Sequence, residues 1–394
     1  MRRSLSSTSA RTVGGIVGVV VVVVLVTAGV ALASRQPGAE SVLRSAPTSP
    51  SAVASNAGPS TVIYAVPSNG VSDSTIFAQT LGSSASLRQL SQGLEASAVP
   101  DSGGAAQYVA VYGSYGSPAV YSTSGAPSAP ISTPTLASGV EGSVLLSSGS
   151  NIFVQQSSSI VEANSTTGAV VATYELPTLP PDSFATSPSK VLRGPSPGPA
   201  TGAIEALFAA PNSGDLIALQ RTGWAVAVDD LSTGAVHQLS GYGAFRGATL
   251  GADGDIYTVA WRPNVPSVDL TVLRIDPSSL NVISTYSTGL SYLSTLNVSL
   301  ASSARDNAIV YVAQGSATTP INSYLWTASA GGLVSLISVP ANIAIDMSVV
   351  GDNVYLYGGP GTNSVAEVSL ANLALTQGAP GLSSPAGTYV LSIS

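Results

Sequence analysis

Cationic and aromatic side chains are scarce in this chain, and several of them fall in neighbouring loops. Arg221 and Trp224 stand in QRTGW, Tyr242 and Arg246 in GYGAFRG, and Trp261 and Arg262 in AWRPNVPS. Guanidinium groups beside exposed aromatic rings bind carboxylates, sulfates or sugar rings through bidentate hydrogen bonds and stacking. These six residues form a candidate anion or glycan site. The competing reading is solvated arginines next to aromatics packed in a core. Tyr112 and Tyr115 in YGSYGSP, with Tyr292 in GLSYLS, extend the candidate set, because tyrosine in Gly/Ser loops stacks on sugars and peptides.

Other chemistries are excluded or unsupported. There is no cysteine, which removes disulfides, thiolate metal sites and cysteine nucleophiles. His237 is the only histidine, so no multi-histidine metal centre forms. It lies in TGAVHQLS, expected to be an outer strand facing away from any central channel, and no Ser-His-Asp arrangement is available. Asp229-Asp230 and the Asp253/Asp255 pair of ADGD read as caps of turn amides, without the alternating ligand spacing of a calcium loop. No catalytic residue, cofactor or metal is therefore assigned. The formal charge of -7 and a pI near 4.6 remove nucleic acid as a partner, since phosphate binding needs clustered Lys and Arg. Only 8% of residues are charged, and Lys190 is the sole lysine. A surface so poor in charge loses little when its carboxylates are protonated, which suits an acidic exterior. Asn164-Ser165-Thr166 and Asn297-Val298-Ser299 are glycosylation sequons.

The elements that must position the loop residues are recurrent hairpins. In GADGDIYTVAW followed by VDLTVLRIDPSSLNVISTYS, short β-rich runs flank Gly/Asp and Asp-Pro turns. The same unit is marked in its second strand by Tyr64, Tyr108, Phe153, Ile217, Tyr257, Tyr311 and Tyr355. Most of these landmarks lie about 40 to 55 residues apart, the length of a propeller blade. One longer interval holds a proline-rich insertion at 177–201, which is not expected to be regular strand. Outer hairpin turns recur at Ser124-Gly125, Thr167-Gly168, Thr233-Gly234, Ser278-Ser279 and Gly331-Gly332. An apolar strand precedes the landmark in GSVLLSS, IEALFAA, LNVSLAS and IDMSVVG, weakly so around 94–99, and not at all before Tyr64. The C-terminal GTYVLSIS supplies the missing strand, so the pattern predicts an all-β, seven-bladed β-propeller over 61–394, closed by its last strand.

The runs GDIYTVAW…LRIDPSSLNVIST, SIVEANSTTGAVVATYEL and VAVDDLSTGAVHQL resemble repeats of the YVTN and quinoprotein-like (PQQ-like) β-propeller superfamily. That resemblance covers about residues 60 to 394 and implies a fold, with no catalytic residue to transfer. Gly-His and Trp-Asp pairs, sialidase boxes and the regular tryptophan docking of quinone-dependent dehydrogenases are all missing from the sequence.

The N-terminal segments set the expected location. Arg2, Arg3 and Arg11 in the basic flank 1–12 precede an uncharged run over 13–33. At about 1.5 Å per residue that run reaches roughly 31 Å, enough to span a bilayer with the basic flank inside. Ala31-Leu32-Ala33 also fits a signal-peptide cleavage pattern, which makes secretion the alternative. Residues 34–60, with four prolines, read as a flexible stalk. The sequence thus predicts an extracytoplasmic, membrane-tethered binding or scaffold module whose partner is an envelope protein or glycan. The alternative is a propeller enzyme, either a quinoprotein-like oxidoreductase or a polysaccharide lyase or hydrolase.

Overall fold

The computed structural model describes residues 61–67, 74–80, 88–93, 95–100, 106–112, 119–122, 143–156, 158–179, 200–201, 203–210, 213–222, 225–261, 269–291, 295–303, 305, 307–316, 319–339, 344–358, 365–377 and 389–393. All belong to one compact unit, Ser55–Ser394. The predicted membrane run 13–33 and stalk 34–60 lie outside them. Among the described residues no helix is long and apolar enough to cross a membrane.

The described chain is antiparallel β-sheet throughout. The first sheet joins β1 (Thr61–Pro67), β2 (Ser74–Thr80) and β3 (Arg88–Gly93) to the last strand, β29 (Tyr389–Ile393). In it Tyr64 stands opposite Phe77 on one side and Val390 on the other. A three-stranded sheet follows, β4 (Glu95–Pro100), β5 (Ala106–Tyr112) and β6 (Ala119–Ser122). The weakly apolar stretch around 94–99 is therefore strand. Next come β7 (Ser143–Ser148), β8 (Asn151–Gln156), β9 (Ser159–Asn164) and β10 (Val170–Glu175).

Four further sheets repeat this order. They are β13 (Ala203–Ala209), β14 (Leu216–Thr222), β15 (Ala225–Asp230) and β16 (Ala235–Gln238), then β17 (Ala244–Leu250), β18 (Ile256–Trp261), β19 (Asp269–Asp276) and β20 (Asn281–Ser291). After these come β21 (Thr295–Ala301), β22 (Ala308–Ser316), β23 (Thr319–Ser329) and β24 (Gly332–Val339), then β25 (Ala344–Val350), β26 (Asn353–Gly358), β27 (Ala366–Ser369) and β28 (Leu375–Gln377). Every landmark residue lies in the second strand of its sheet.

The proline-rich insertion departs from expectation at its two ends. There β11 (Thr178–Leu179) and β12 (Ala200–Thr201) pair as a short ribbon. Leu179 drives this, because it is fully buried against Ala225 and Ala227 of β15.

Strand alternation gives each sheet two apolar faces, and consecutive sheets bury them against each other. One cluster joins Val99, Ala110 and Val120 to Ile152, Val154 and Ala163. The next joins Phe153 and Ile160 to Leu207, Leu216 and Ala218. Ile217, Leu219 and Val226 then meet Ile256, Leu273 and Ile275. The series continues with Tyr257 and Val272 against Val310 and Trp326, then Tyr311 and Leu325 against Val354 and Val368. First strands are neighbours from sheet to sheet, β13 beside β17, β17 beside β21 and β21 beside β25.

A local code closes the outer hairpins. Asn164 Oδ1 accepts from the amides of Thr166 and Thr167 at 3.0 and 2.9 Å, and Asp230 Oδ1 accepts from those of Ser232 and Thr233 at 2.9 and 3.2 Å. Asp276 repeats the bond to Ser278, and its carboxylate also accepts from Ser279 Oγ. Those bonds hold the Asp276 carboxyl below the usual carboxylate range. The fifth residue of the turn adopts positive φ, as Gly168, Gly234, Leu280 and Leu373. Glycine suits that conformation and leucine does not, so the two leucine turns are held by the ladders on either side.

Candidate functional site

First strands carry a β-bulge at a recurring place, with register shifts at Val144/Leu146, Ile204/Ala206, Arg246/Ala248, Thr295/Asn297 and Ala344/Asp346. A bulge re-aims a side chain without ending the ladder. In β13 the extra residue is Glu205, which meets Arg221 of β14, Nε donating to Oε1 at 2.5 Å. In β17 the extra residue is Gly247, at φ 63°, and Arg246 beside it is exposed. A Cβ on Gly247 would stand 3.0 Å from Leu300 Cδ1 and 3.4 Å from the Val298 carbonyl oxygen. The bulge therefore seats β17 closely on β21. Thr258 Oγ1, fully buried, ties it down by donating to the Gly247 carbonyl at 2.7 Å.

Arg221 and Arg246 thus lie on adjacent sheets, both near the end where the first strand begins. Each presents a guanidinium, that of Arg221 with a carboxylate in support, and such groups suit an anion. The two aromatics between them behave differently. Tyr242 is 6% exposed and belongs to the cluster between its two sheets, and Trp261 is 3% exposed. A Cβ on Gly243 would fall 2.7 Å from two ring carbons of Trp261, so the indole lies flat on backbone. Both rings are packing residues in this structure. Trp224, Arg262, Tyr115 and Tyr292 lie outside the described residues, and Tyr112 ends β5 opposite Glu95, with its side chain outside them as well.

The acidic turn of the fifth landmark sheet is a staple. Asp253 Oδ2 accepts from Tyr257 Oη at 2.9 Å, Arg274 Nη2 at 3.1 Å and Asn307 Nδ2 at 3.1 Å. Asp255 holds the same guanidinium at 2.5 Å. Asn307 precedes the strand β22, so the network joins two consecutive sheets. Burial raises the Asp255 carboxyl above its ordinary value, against the lowering effect of Arg274. Burial, then the bond to Asp253, raise the Tyr257 phenol. No group of three or more metal-ligating side chains occurs among the described residues. His237 lies in β16, the outer strand, opposite Val228.

Sequence reasoning missed three features. Glu205 sits in an apolar strand with no motif, and only the bulge brings it to Arg221. Asn307 reaches Asp253 across 54 positions of chain. Asp229 is not a turn cap, since only Asp230 performs that role. Asp229 is wholly buried, and neither of its carboxylate oxygens has a hydrogen-bond partner.

No protein-family model and no curated protein sequence matches the chain. Solved structures do. A candidate 6-phosphogluconolactonase from Bacteroides fragilis is similar over 85% of this chain and 97% of that one, at 12% identity and a TM-score of 0.50. Another, from Bacteroides uniformis, is similar over 85% and 99%, at 12% identity and a TM-score of 0.49. The Neurospora crassa Pan2 WD40 domain is similar over 73% and 80%, at 12% identity and a TM-score of 0.46. Consecutive antiparallel sheets stacked face to face, with the first of these likenesses spanning nearly a whole solved chain, define the class. The described unit is a β-propeller. Identity this low shows the fold alone.

Proposed function

We propose that this protein is a non-catalytic binding or scaffold module, a seven-bladed propeller of the YVTN and quinoprotein-like kind, exported and tethered through 13–33. Its partner is an anionic glycan or an acidic envelope protein. The observation that carries the binding reading is the commitment of several of the described carboxylates to structure. Asp230 and Asp276 cap turns, Asp253 and Asp255 hold Arg274, Glu162 holds Asn151 and Tyr174, and Glu205 supports Arg221. Arg246, which is exposed, and Arg221, which is half-exposed, are the groups we assign to the ligand. Seven sheets of landmark type support the blade number, and the placement of β29, paired with β1 and beside both β4 and β25, supports closure.

The test uses the full-length chain in mild detergent, titrated calorimetrically with sulfated and carboxylated oligosaccharides. Binding should weaken with salt, and changing Arg221 and Arg246 together to Ala should reduce affinity about tenfold or more. Steady turnover of a sugar lactone or a polysaccharide, lost in the Arg246→Ala variant, would overturn the non-catalytic reading. Alkaline extraction of membranes tests the tether, with release of a chain starting at Ser34 arguing for cleavage.

A further inference from the structure

One position of the repeat is apolar in four sheets and acidic in a fifth. The next-to-last residue of the third strand is Ala163 in β9, Ile275 in β19, Ala328 in β23 and Val368 in β27, all 0% exposed. Each packs on the preceding sheet. In β15 the residue is Asp229, also 0% exposed. Its strand neighbours on the same face, Ala225 and Ala227, pack on Leu179 of the insertion ribbon.

Among the described residues, no cation pairs with Asp229. Its ladder partners are Ala218 and Val236. Gln220, opposite Ala227, is the diagonal neighbour on the same face and is also fully buried. Its Nε2 donates to the Pro177 carbonyl at 2.9 Å, while its Oε1 has no hydrogen-bond partner. Arg221 and His237 lie on the opposite face, by strand alternation. From the preceding sheet, the titratable groups turned toward β13–β16 are Glu162 and Tyr174, and Tyr174 Oη donates to Glu162 at 2.9 Å. Asp230 is occupied by its own turn. Among the described side chains, this buried face thus holds three oxygens without a hydrogen-bond partner, Gln220 Oε1 and both carboxylate oxygens of Asp229, which is costly unless the carboxyl takes up a proton and becomes a donor.

We propose that Asp229 is a structural proton site: its neutral carboxyl donates a hydrogen bond across the ladder to Gln220 Oε1, so the seam between sheets β7–β10 and β13–β16, with the β11–β12 ribbon docked on it, tightens in acid and loosens when that proton leaves to solvent. No other chemistry is involved, since the oxygen–hydrogen bond breaks heterolytically and water takes the proton. Burial alone, with no charged neighbour contributing, pushes the carboxyl up to about 7. The folded state therefore holds the proton where the unfolded chain has lost it. Stability from this group is fully present below the ordinary carboxylate range and is lost as pH rises through about 7.

The test compares full-length wild type with Asp229→Asn and Asp229→Ala, the latter restoring the residue of two other sheets. Thermal melts and amide exchange are followed at pH 5, 6.5 and 8. Wild type should lose several degrees of Tm over that range, and exchange in peptides covering Thr178–Leu179 and Ala225–Asp230 should quicken about tenfold relative to the rest. Both variants should be flat in both measurements. The same pH response in all three proteins overturns the proposal. If both variants fail to fold, the infrared carboxyl band of the wild type decides it. A protonated band lost near pH 7 supports the proton site, and an ionised group across the whole range overturns it.

Discussion

Asp229 and Gly251 show how much one residue decides in a chain with so few charges. For Asp229 the unfolded carboxyl titrates near 4 and the folded one near 7, so stability falls by about 1.4 kcal/mol per pH unit between them. Replacing it with Asn should therefore raise stability at pH 8 by a few kcal/mol and leave acid stability nearly unchanged, as measured by chemical denaturation at both pH values. Gly251 is constrained differently. A Cβ there would lie 2.6 Å from Asp253 Oδ1, 2.7 Å from Tyr257 Cε2 and 3.0 Å from the Asn307 carbonyl oxygen. Gly251→Ala should cost roughly 2–3 kcal/mol in the same assay, because the clash falls on the staple between two sheets and those atoms have nowhere to move.

At the scale of the element, the outer hairpin is a five-residue device with two requirements, an Asn, Asp or Ser at the first position and a left-handed residue at the fifth. The chain meets the second with glycine at 168 and 234 and with leucine at 280 and 373. Leu280 is buried in a cluster, which offsets its backbone cost, whereas Leu373 is 39% exposed. Leu373→Gly should therefore raise the unfolding free energy by about 1 kcal/mol, read from denaturant melts. The hairpin ending in Gly168 is visible in sequence as Asn-Ser-Thr-Thr-Gly. The one ending in Leu373 is invisible, because Ser-Leu-Ala-Asn-Leu has no glycine and its turn is imposed by the pairing of Ala366–Val368 with Leu375–Gln377.

For the whole molecule, the energetic unit is the seam between consecutive sheets, and the first and last described strands, β1 and β29, pair in one sheet. Removing 389–393 strips β1 of its ladder on one side and exposes an uncharged edge. The truncated protein should melt at least 10 °C lower and form concentration-dependent oligomers on size-exclusion chromatography, whereas a monomer with unchanged Tm would count against a closed ring.

Periodicity alone determined the recurrent antiparallel sheets and the second-strand landmarks, because strands of period two between Gly, Asp and Pro turns leave a pattern that needs no distant partner. Composition likewise determined the absence of thiol and multi-histidine chemistry. The candidate site was legible only in part. Arg221 and Arg246 reach the surface, but Tyr242 and Trp261, read as loop aromatics, are drawn into the seam where a large ring buries more apolar area than a loop can offer. Tertiary structure alone decided the bulge that gives Arg221 its carboxylate, the reach of Asn307 to Asp253 and the burial of Asp229 without a hydrogen-bond partner among the described residues. Each depends on which side of a strand meets the next sheet, and a one-residue change in register or bulge reverses that without leaving a mark in the sequence.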